Sequence, residues 1–289
     1  VAISADLNVT NLQLGAILTA YNVATGVLQT PMGILVDKFG ARRVLIGGLF
    51  VTSTAFALSG FTSSYWELLA LFFIAGAGNS VFHPADYVIL TASVEKSRQG
   101  RAYSMHSFGG SLGTAAGPAV MVILMTQTDW RTALIIAGSI GVLLSLVFVF
   151  SGDTLREDAA TKQKTKTETP LRAMINRGVV LLFLFYMLTS SANIGLTAFA
   201  PIYLPALYNV SVETAAYILS VLLFCNALGT LFGGWLADRL GRRPSTLLGE
   251  IFVFVFGAAQ AASSSGGTIA ASRLLHGFGL GVCVLIKPL

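Results

Sequence analysis

Few side chains in this chain can be charged, and several of them sit where proton chemistry is possible. Asn79, His83 and Asp86 are spaced i, i+4 and i+7 within an apolar stretch, which on a helix puts all three on one face. His106 stands at a comparable depth across the short 91–101 loop, and Arg273 and His276 occupy a later apolar stretch from which they could face that cluster. A His beside an Asp can hold or pass a proton near neutral pH, because imidazole has an unperturbed pKa of ~6.5 and modest shifts carry it across that range. The alternative stays open that His83 and His106 are hydrogen-bonded packing residues and that Asp86 anchors a helix end. Asn22, Asn193 and Asn226 are further polar groups in mid-stretch, suited to line a cavity or to hydrogen-bond between helices. No His, Cys, Asp and Glu spacing fits a metal site, Cys225 and Cys283 lie far apart, and neither metal nor cofactor is expected.

A second set of residues is written twice. "GILVDKFGARR" at 33–43 and "GWLADRLGRR" at 234–243 share one pattern. It consists of Gly33, Asp37, Lys38, Gly40, Arg42 and Arg43 in the first copy, and of Gly234, Asp238, Arg239, Gly241, Arg242 and Arg243 in the second. A reversal of two or three residues between antiparallel helices needs glycine at 40 and 241. Each Asp sits where an acid can face basic side chains or the positive N-terminus of a neighbouring helix. In "GGSLGTAAGPAV" at 109–120, Gly109, Gly113 and Gly117 recur every four residues as a small-residue seam, and Pro118 then permits a bend.

These residues need long apolar elements to carry them. The chain of 289 residues is 54% hydrophobic and 11% charged, against about 25% charged in an average soluble domain. Its mean hydropathy is +0.75. Apolar runs at 11–32, 44–61, 66–90, 102–125, 132–150, 178–203, 212–237, 245–263 and 268–286 are each long enough, at roughly 18–25 residues, to cross a ~30 Å hydrocarbon core as helices. They do not alternate in polarity as barrel strands would. The expected fold class is an all-α membrane protein with nine spans in a lipid bilayer.

Basic residues set the expected orientation. Of the 18 Lys and Arg, 15 fall in alternate loops: Lys38 to Arg43, Lys96 to Arg101, Arg156 to Arg177, and Arg239 to Arg243. Those loops are expected to face the cytoplasm. The basic pI of 9.4 thus reports membrane topology, and no aromatic and basic platform for nucleic acid is present. The polar segment 151–177 reads as a cytoplasmic linker between an N-terminal bundle, 1–150, and a C-terminal bundle, 178–289.

The repeat extends beyond the charged phrase. At an offset of 201 residues, Asn8, Val9 and Thr10 align with Asn209, Val210 and Ser211, and Gly76 and Gly78 align with Gly277 and Gly279. Parallel halves of this kind build several transporter folds. Thr10 with Gln13 reads as a capping box at a helix start. Symmetry between the halves further predicts one helix before residue 1 and two after residue 289, which makes the nine spans the second to tenth helices of a six-plus-six bundle.

The doubled G-x-L-x-D-(R/K)-x-G-x-(R/K)-(R/K) phrase resembles the major facilitator superfamily of secondary transporters, over essentially the whole chain. Ala41 departs from that pattern, and Pro244 follows the second copy. The resemblance implies that Asp37, Lys38, Arg42 and Arg43, with Asp238, Arg239, Arg242 and Arg243, latch the cytoplasmic side in one state of an alternating pair. The 109–118 seam is similar to the fifth-helix signature of drug:proton antiporters, and Arg273 with Gly277 resembles an R-x-x-x-G pattern normally found in the fourth helix, where this chain has Phe72. "FHPADY" at 82–87, together with the seam, is similar to fosmidomycin-resistance-like exporters.

The implied function is secondary active transport of a small organic solute by alternating access. H⁺ is the expected coupling ion, and export is favoured over uptake. An organic-acid:proton symporter and a transport-dead membrane sensor are the alternatives. The expected setting is the plasma or inner membrane, and the expected state a monomer. HExxH, GxSxG and paired catalytic acids are all missing, so no enzyme activity is expected.

Overall fold

The computed structural model describes residues 2–95, 99–151, 177–263 and 265–284. Among these residues the chain forms twelve helices and no strand. They are α1 (Ala2–Asp6), α2 (Asn11–Phe39), α3 (Ala41–Ser59), α4 (Tyr65–Asn79), α5 (Phe82–Ser93), α6 (Gln99–Gln127), α7 (Trp130–Phe150), α8 (Arg177–Ala198), α9 (Ala200–Tyr208), α10 (Val212–Leu240), α11 (Arg242–Ala261) and α12 (Gly266–Val284). Residues 152–176 of the expected linker lie outside the described residues.

Among the described residues, each of the nine expected spans is helical over nearly all of its length, and two of them are broken. The 66–90 span divides into α4 and α5 at Ser80 and Val81, and the 178–203 span divides into α8 and α9 at Phe199. Both breaks precede a proline, Pro84 or Pro201, whose missing N–H cannot bond back to the carbonyl four residues earlier. The short helix α1 was not expected from "VAISADL".

Large apolar side chains face outward along these helices. Leu143 on α7 is 62% exposed and Phe183 on α8 is 64% exposed, which in water would leave long greasy stripes uncovered. Among the described residues, five stretches are long and apolar enough to cross a membrane: Ala41–Ser59, Tyr65–Ser93, Met105–Gln127, Trp130–Phe150 and Val212–Gly233.

The chain divides into two units, one of residues Val1–Ala102 and Ile123–Lys164 and the other of Tyr103–Val122 and Thr165–Leu289. Helix α6 is thereby shared between them. Inside the first unit, α4 packs on α2 and α3, and α7 packs on α3. Inside the second, α12 packs on α10 and α11.

The internal repeat is reproduced in the paired helices and their caps, although the break at Ser80 and Val81 has no counterpart at Gly281 and Val282, which lie within α12. Helices α2 and α10 both run 29 residues and begin and end 201 residues apart. Asn8 and Asn209, with φ of 51° and 50°, make the same left-handed turn before them, a conformation that Asn tolerates better than most residues. The expected capping box is present, with Thr10 Oγ1 accepting from the Gln13 amide at 3.2 Å and Gln13 Oε1 accepting from the Thr10 amide at 2.8 Å. Its counterpart has Ser211 Oγ accepting from the Thr214 amide at 3.1 Å.

Close backbone approach is duplicated as well. A Cβ placed on Gly76 would fall on the Tyr21 carbonyl group, and one on Gly277 would fall on the Leu222 carbonyl group. A Cβ on Gly78 would come within 2.8 Å of Gly48 O and Thr52 N, and one on Gly279 within 3.2 and 3.1 Å of Gly249 O and Val253 N. Every one of these pairs keeps the 201-residue offset. Glycine is required at such crossings because neighbouring backbones occupy the space of a side chain.

Candidate functional site

The repeated loop is built around its glycine. Gly40 (φ 90°, ψ 142°) and Gly241 (φ 84°, ψ 162°) each end one helix and start the next in a conformation open mainly to glycine. The Gly40 amide donates to Val36 O at 2.9 Å. Arg42 then reaches across to the end of α7, where its Nη2 donates to Phe148 O at 3.2 Å and to Val149 O at 3.4 Å. Those carbonyls belong to the last turn of α7, so a cation meets the negative end of a helix. Asp37 and Arg43 are exposed, Asp37 has no partner among the described residues, and Lys38 Nζ sits 5.3 Å from the Phe39 ring centroid. Gly33 faces α5, its added Cβ coming 3.9 Å from Pro84. In the second copy Arg239 lies 4.5 Å above the Trp235 ring. The side chains of Asp238, Arg242 and Arg243, with Gly234, lie outside the described residues.

The expected titrating cluster is distributed over the broken span. Asn79 ends α4 and turns toward α2, its Nδ2 donating to Thr25 Oγ1 at 3.4 Å. Thr25 Oγ1 in turn donates to Gly76 O at 3.0 Å, so this amide is committed to a helix-to-helix contact. His83 and Asp86 are on α5, past the break. His83 is exposed and stacks on Tyr87 with centroids 6.3 Å apart, while Asp86 is half-buried. His106 is exposed on the part of α6 that counts with the second unit.

Other flagged residues fall in varied settings. Asn22 is exposed and donates to Leu18 O of its own helix at 2.8 Å. Asn193 and Asn226 are half-buried on α8 and α10, and their backbone carbonyls accept from Thr197 and Thr230. A Cβ on Gly109, Gly113 or Gly117 would meet nothing within 4 Å, and Pro118 lies within an unbroken α6.

Two further residues join Arg273 and His276. Arg273 is buried in α12, its guanidinium 5.3 Å from the Tyr203 ring centroid on α9. His276, one turn on, pairs through Nδ1 with Gln260 Nε2 on α11. Tyr203 and Gln260 were not singled out by sequence, although Gln260 is the polar residue of the apolar run "FGAAQAAS".

A second polar knot ties the first unit together. Asp6 Oδ2 accepts from Trp130 Nε1 at 3.0 Å and pairs with Arg131 Nη2 at 2.9 Å. Arg131 also stacks over the Trp130 ring at 4.4 Å and donates to the Thr62 carbonyl. Next to it Asp129 caps α7, accepting from the Arg131 and Thr132 amides at 2.8 and 3.0 Å. The Thr132 hydrogen bonds, ahead of the Arg131 charge, hold its carboxyl below the usual Asp value.

Two helical units of one build, with apolar outer faces and a charged glycine loop in each, define a multi-pass membrane protein. The Major Facilitator Superfamily profile matches residues 1–224 and 182–286, and the chain belongs to that family. It is 26% identical over 259 residues to the probable sulfoacetate transporter of Cupriavidus necator, covering 84% of this chain and 60% of that protein. It is 24% identical over 251 residues to the fosmidomycin resistance protein of Escherichia coli, covering 83% and 60%. The sialic acid transporter NanX of Escherichia coli is 25% identical over 256 residues, covering 88% and 63%. The chain thus spans about 60% of the length of these relatives. The solved structure of the nucleoside transporter NupG shares the fold with a TM-score of 0.74 at 14% identity, covering 98% of this chain and 74% of that one.

Proposed function

We propose that the whole protein is a secondary active transporter that carries a small organic solute across a cell membrane. The bundles 1–150 and 178–289 are the halves that alternate, and the loops around 38–43, 96–101, 156–177 and 239–243 face the cytoplasm. The observation that supports this reading is the close packing of Gly76 and Gly78 in one unit and its duplicate at Gly277 and Gly279 in the other. Rigid halves are what alternating access requires, since rocking moves bundles about a fixed site.

Protons are the coupling ion in this reading, with Asp86 and either His83 or His106 as the titrating pair. A proton shifts the alternation only through different affinity for the two orientations. Export is the favoured direction, in keeping with the fosmidomycin resistance protein among the relatives. Symport of an organic acid is the second reading, and the sulfoacetate and sialic acid transporters favour it, because both named solutes are acids. The protein works as a monomer in the lipid bilayer of the plasma or inner membrane.

The test is Asp86→Asn in the full-length protein. It should abolish transport driven by a pH gradient while retaining solute exchange, because exchange needs alternation and no net proton movement. Gradient-driven transport equal to wild type would remove Asp86 from the mechanism.

A further inference from the structure

Among the described residues, Arg273 is the one charged side chain that is buried, at 3% exposure. Its Nε has no hydrogen-bond partner, and no described carboxylate pairs with it. A guanidinium does not lose its proton in proteins, so the charge cannot be relieved by titration as a buried Lys or His would relieve it. An uncompensated cation in a low-dielectric interior is costly, and a membrane chain that keeps one uses it.

The repeat supplies an internal control. At the 201-residue offset, Arg273 corresponds to Phe72, His276 to Ala75, Gln260 to Ser59 and Tyr203 to Ala2. Phe72 packs edge-on against Phe56 with centroids 5.5 Å apart, and Ala75 and Ser59 are fully buried. The first unit therefore builds the same architecture with apolar or small residues at all four positions. The first unit forms its corresponding crossings without this polar set.

We infer that Tyr203, Gln260, Arg273 and His276 form an anion site within the second unit that takes the carboxylate or sulfonate of a small organic anion. The planar fork of Arg273 matches two oxygens of such a group. Tyr203 holds the guanidinium by a cation–π contact, with Cζ 5.3 Å from the ring centroid. Gln260 engages His276 Nδ1, which leaves Nε2 as the ring nitrogen open to the ligand. That the anion is cargo rests on the transport reading above; that it binds does not.

The experiment is thermal unfolding of the full-length protein in detergent, in sodium chloride and then at matched ionic strength in sodium sulfoacetate or sodium galactonate, with galactose as the uncharged control. At least one of the two anions should raise the wild-type midpoint by roughly 2–4 °C over chloride, and galactose should not. Arg273→Met should unfold in chloride at or above the wild-type temperature and lose the anion shift. Arg273→Lys, which keeps the charge but not the fork, should lose at least half of it. An Arg273→Met protein that fails to fold or unfolds several degrees lower in chloride would reveal a counter-ion within the protein and overturn the site. So would an anion shift retained in that variant, or wild type insensitive to both anions. Flux in proteoliposomes is read separately: an Arg273-dependent shift without flux leaves the site and removes the transport reading, whereas flux without the shift does the reverse.

Discussion

Replacing Gly76 with Ala places a methyl group on a backbone that cannot turn aside. The added Cβ lies 2.9 Å from both Tyr21 Cα and its carbonyl carbon, whereas carbon atoms rest at about 3.5–4.0 Å, so α2 and α4 must part by about 1 Å. Overpacking of this kind costs about 1–3 kcal/mol. The separation also stretches the Thr25 hydrogen bond to Gly76 O, now 3.0 Å, which adds about 1 kcal/mol. Ala regains about 1 kcal/mol over Gly through helix propensity, which leaves a net loss of about 1–3 kcal/mol. Gly277→Ala meets the same obstacle at Leu222 and should lose a similar amount. Gly113→Ala is the control: with nothing within 4 Å it keeps the propensity gain. Thermal unfolding of the purified full-length variants, followed by tryptophan fluorescence, should separate Gly76→Ala from Gly113→Ala by roughly 2–4 °C. A Gly76→Ala midpoint at or above that of Gly113→Ala would refute the close-crossing account.

Other perturbations address the loops and the outer knot. Arg131→Ala removes a partly exposed ion pair and the stacking over Trp130 and should cost about 1–2 kcal/mol, read as a lower midpoint; an unchanged one contradicts the knot. Because the folded state holds the Asp129 carboxyl below its ordinary value, its stabilisation is complete above that value, ~3.9, and is lost as pH falls through the lower folded value. Asp129→Asn should therefore flatten the acid limb of the stability profile, and an unaltered limb would deny the role. Asp37→Ala and Asp238→Ala should each reduce transport at equal membrane insertion, and rates equal to wild type would remove the latch. Single cysteines at Ser63, Gln127 and Ser265 should be labelled from outside intact cells, and one at Thr165 only after permeabilisation; outer labelling at Thr165 inverts the topology.

What could be read from the sequence was local or periodic. The apolar spans, the Thr10–Gln13 capping box and the 201-residue offset depend on neighbours along the chain, and they reappear in the helices, the cap and the paired glycine crossings. The breaks before Pro84 and Pro201 were missed because an apolar run conceals a helix interruption that changes no residue's polarity. The regular spacing of Gly109, Gly113 and Gly117 pointed to a close helix contact, yet the tight crossings use Gly76, Gly78, Gly277 and Gly279. Spacing shows that a helix has a small-residue face but not whether a neighbour reaches it. Gln260 and Tyr203 escaped notice for a related reason: their meaning comes from Arg273 and His276, which are close in space but far along the chain.

Coupled transport by alternating halves is tested most directly in proteoliposomes holding the full-length protein, with a pH gradient imposed and labelled sulfoacetate, galactonate and fosmidomycin followed in turn. Flux of at least one compound should run several-fold above protein-free liposomes and be abolished by a protonophore, with Asp86→Asn retaining exchange alone. Flux of all three at the protein-free level, or protein-dependent flux indifferent to the protonophore, would contradict it.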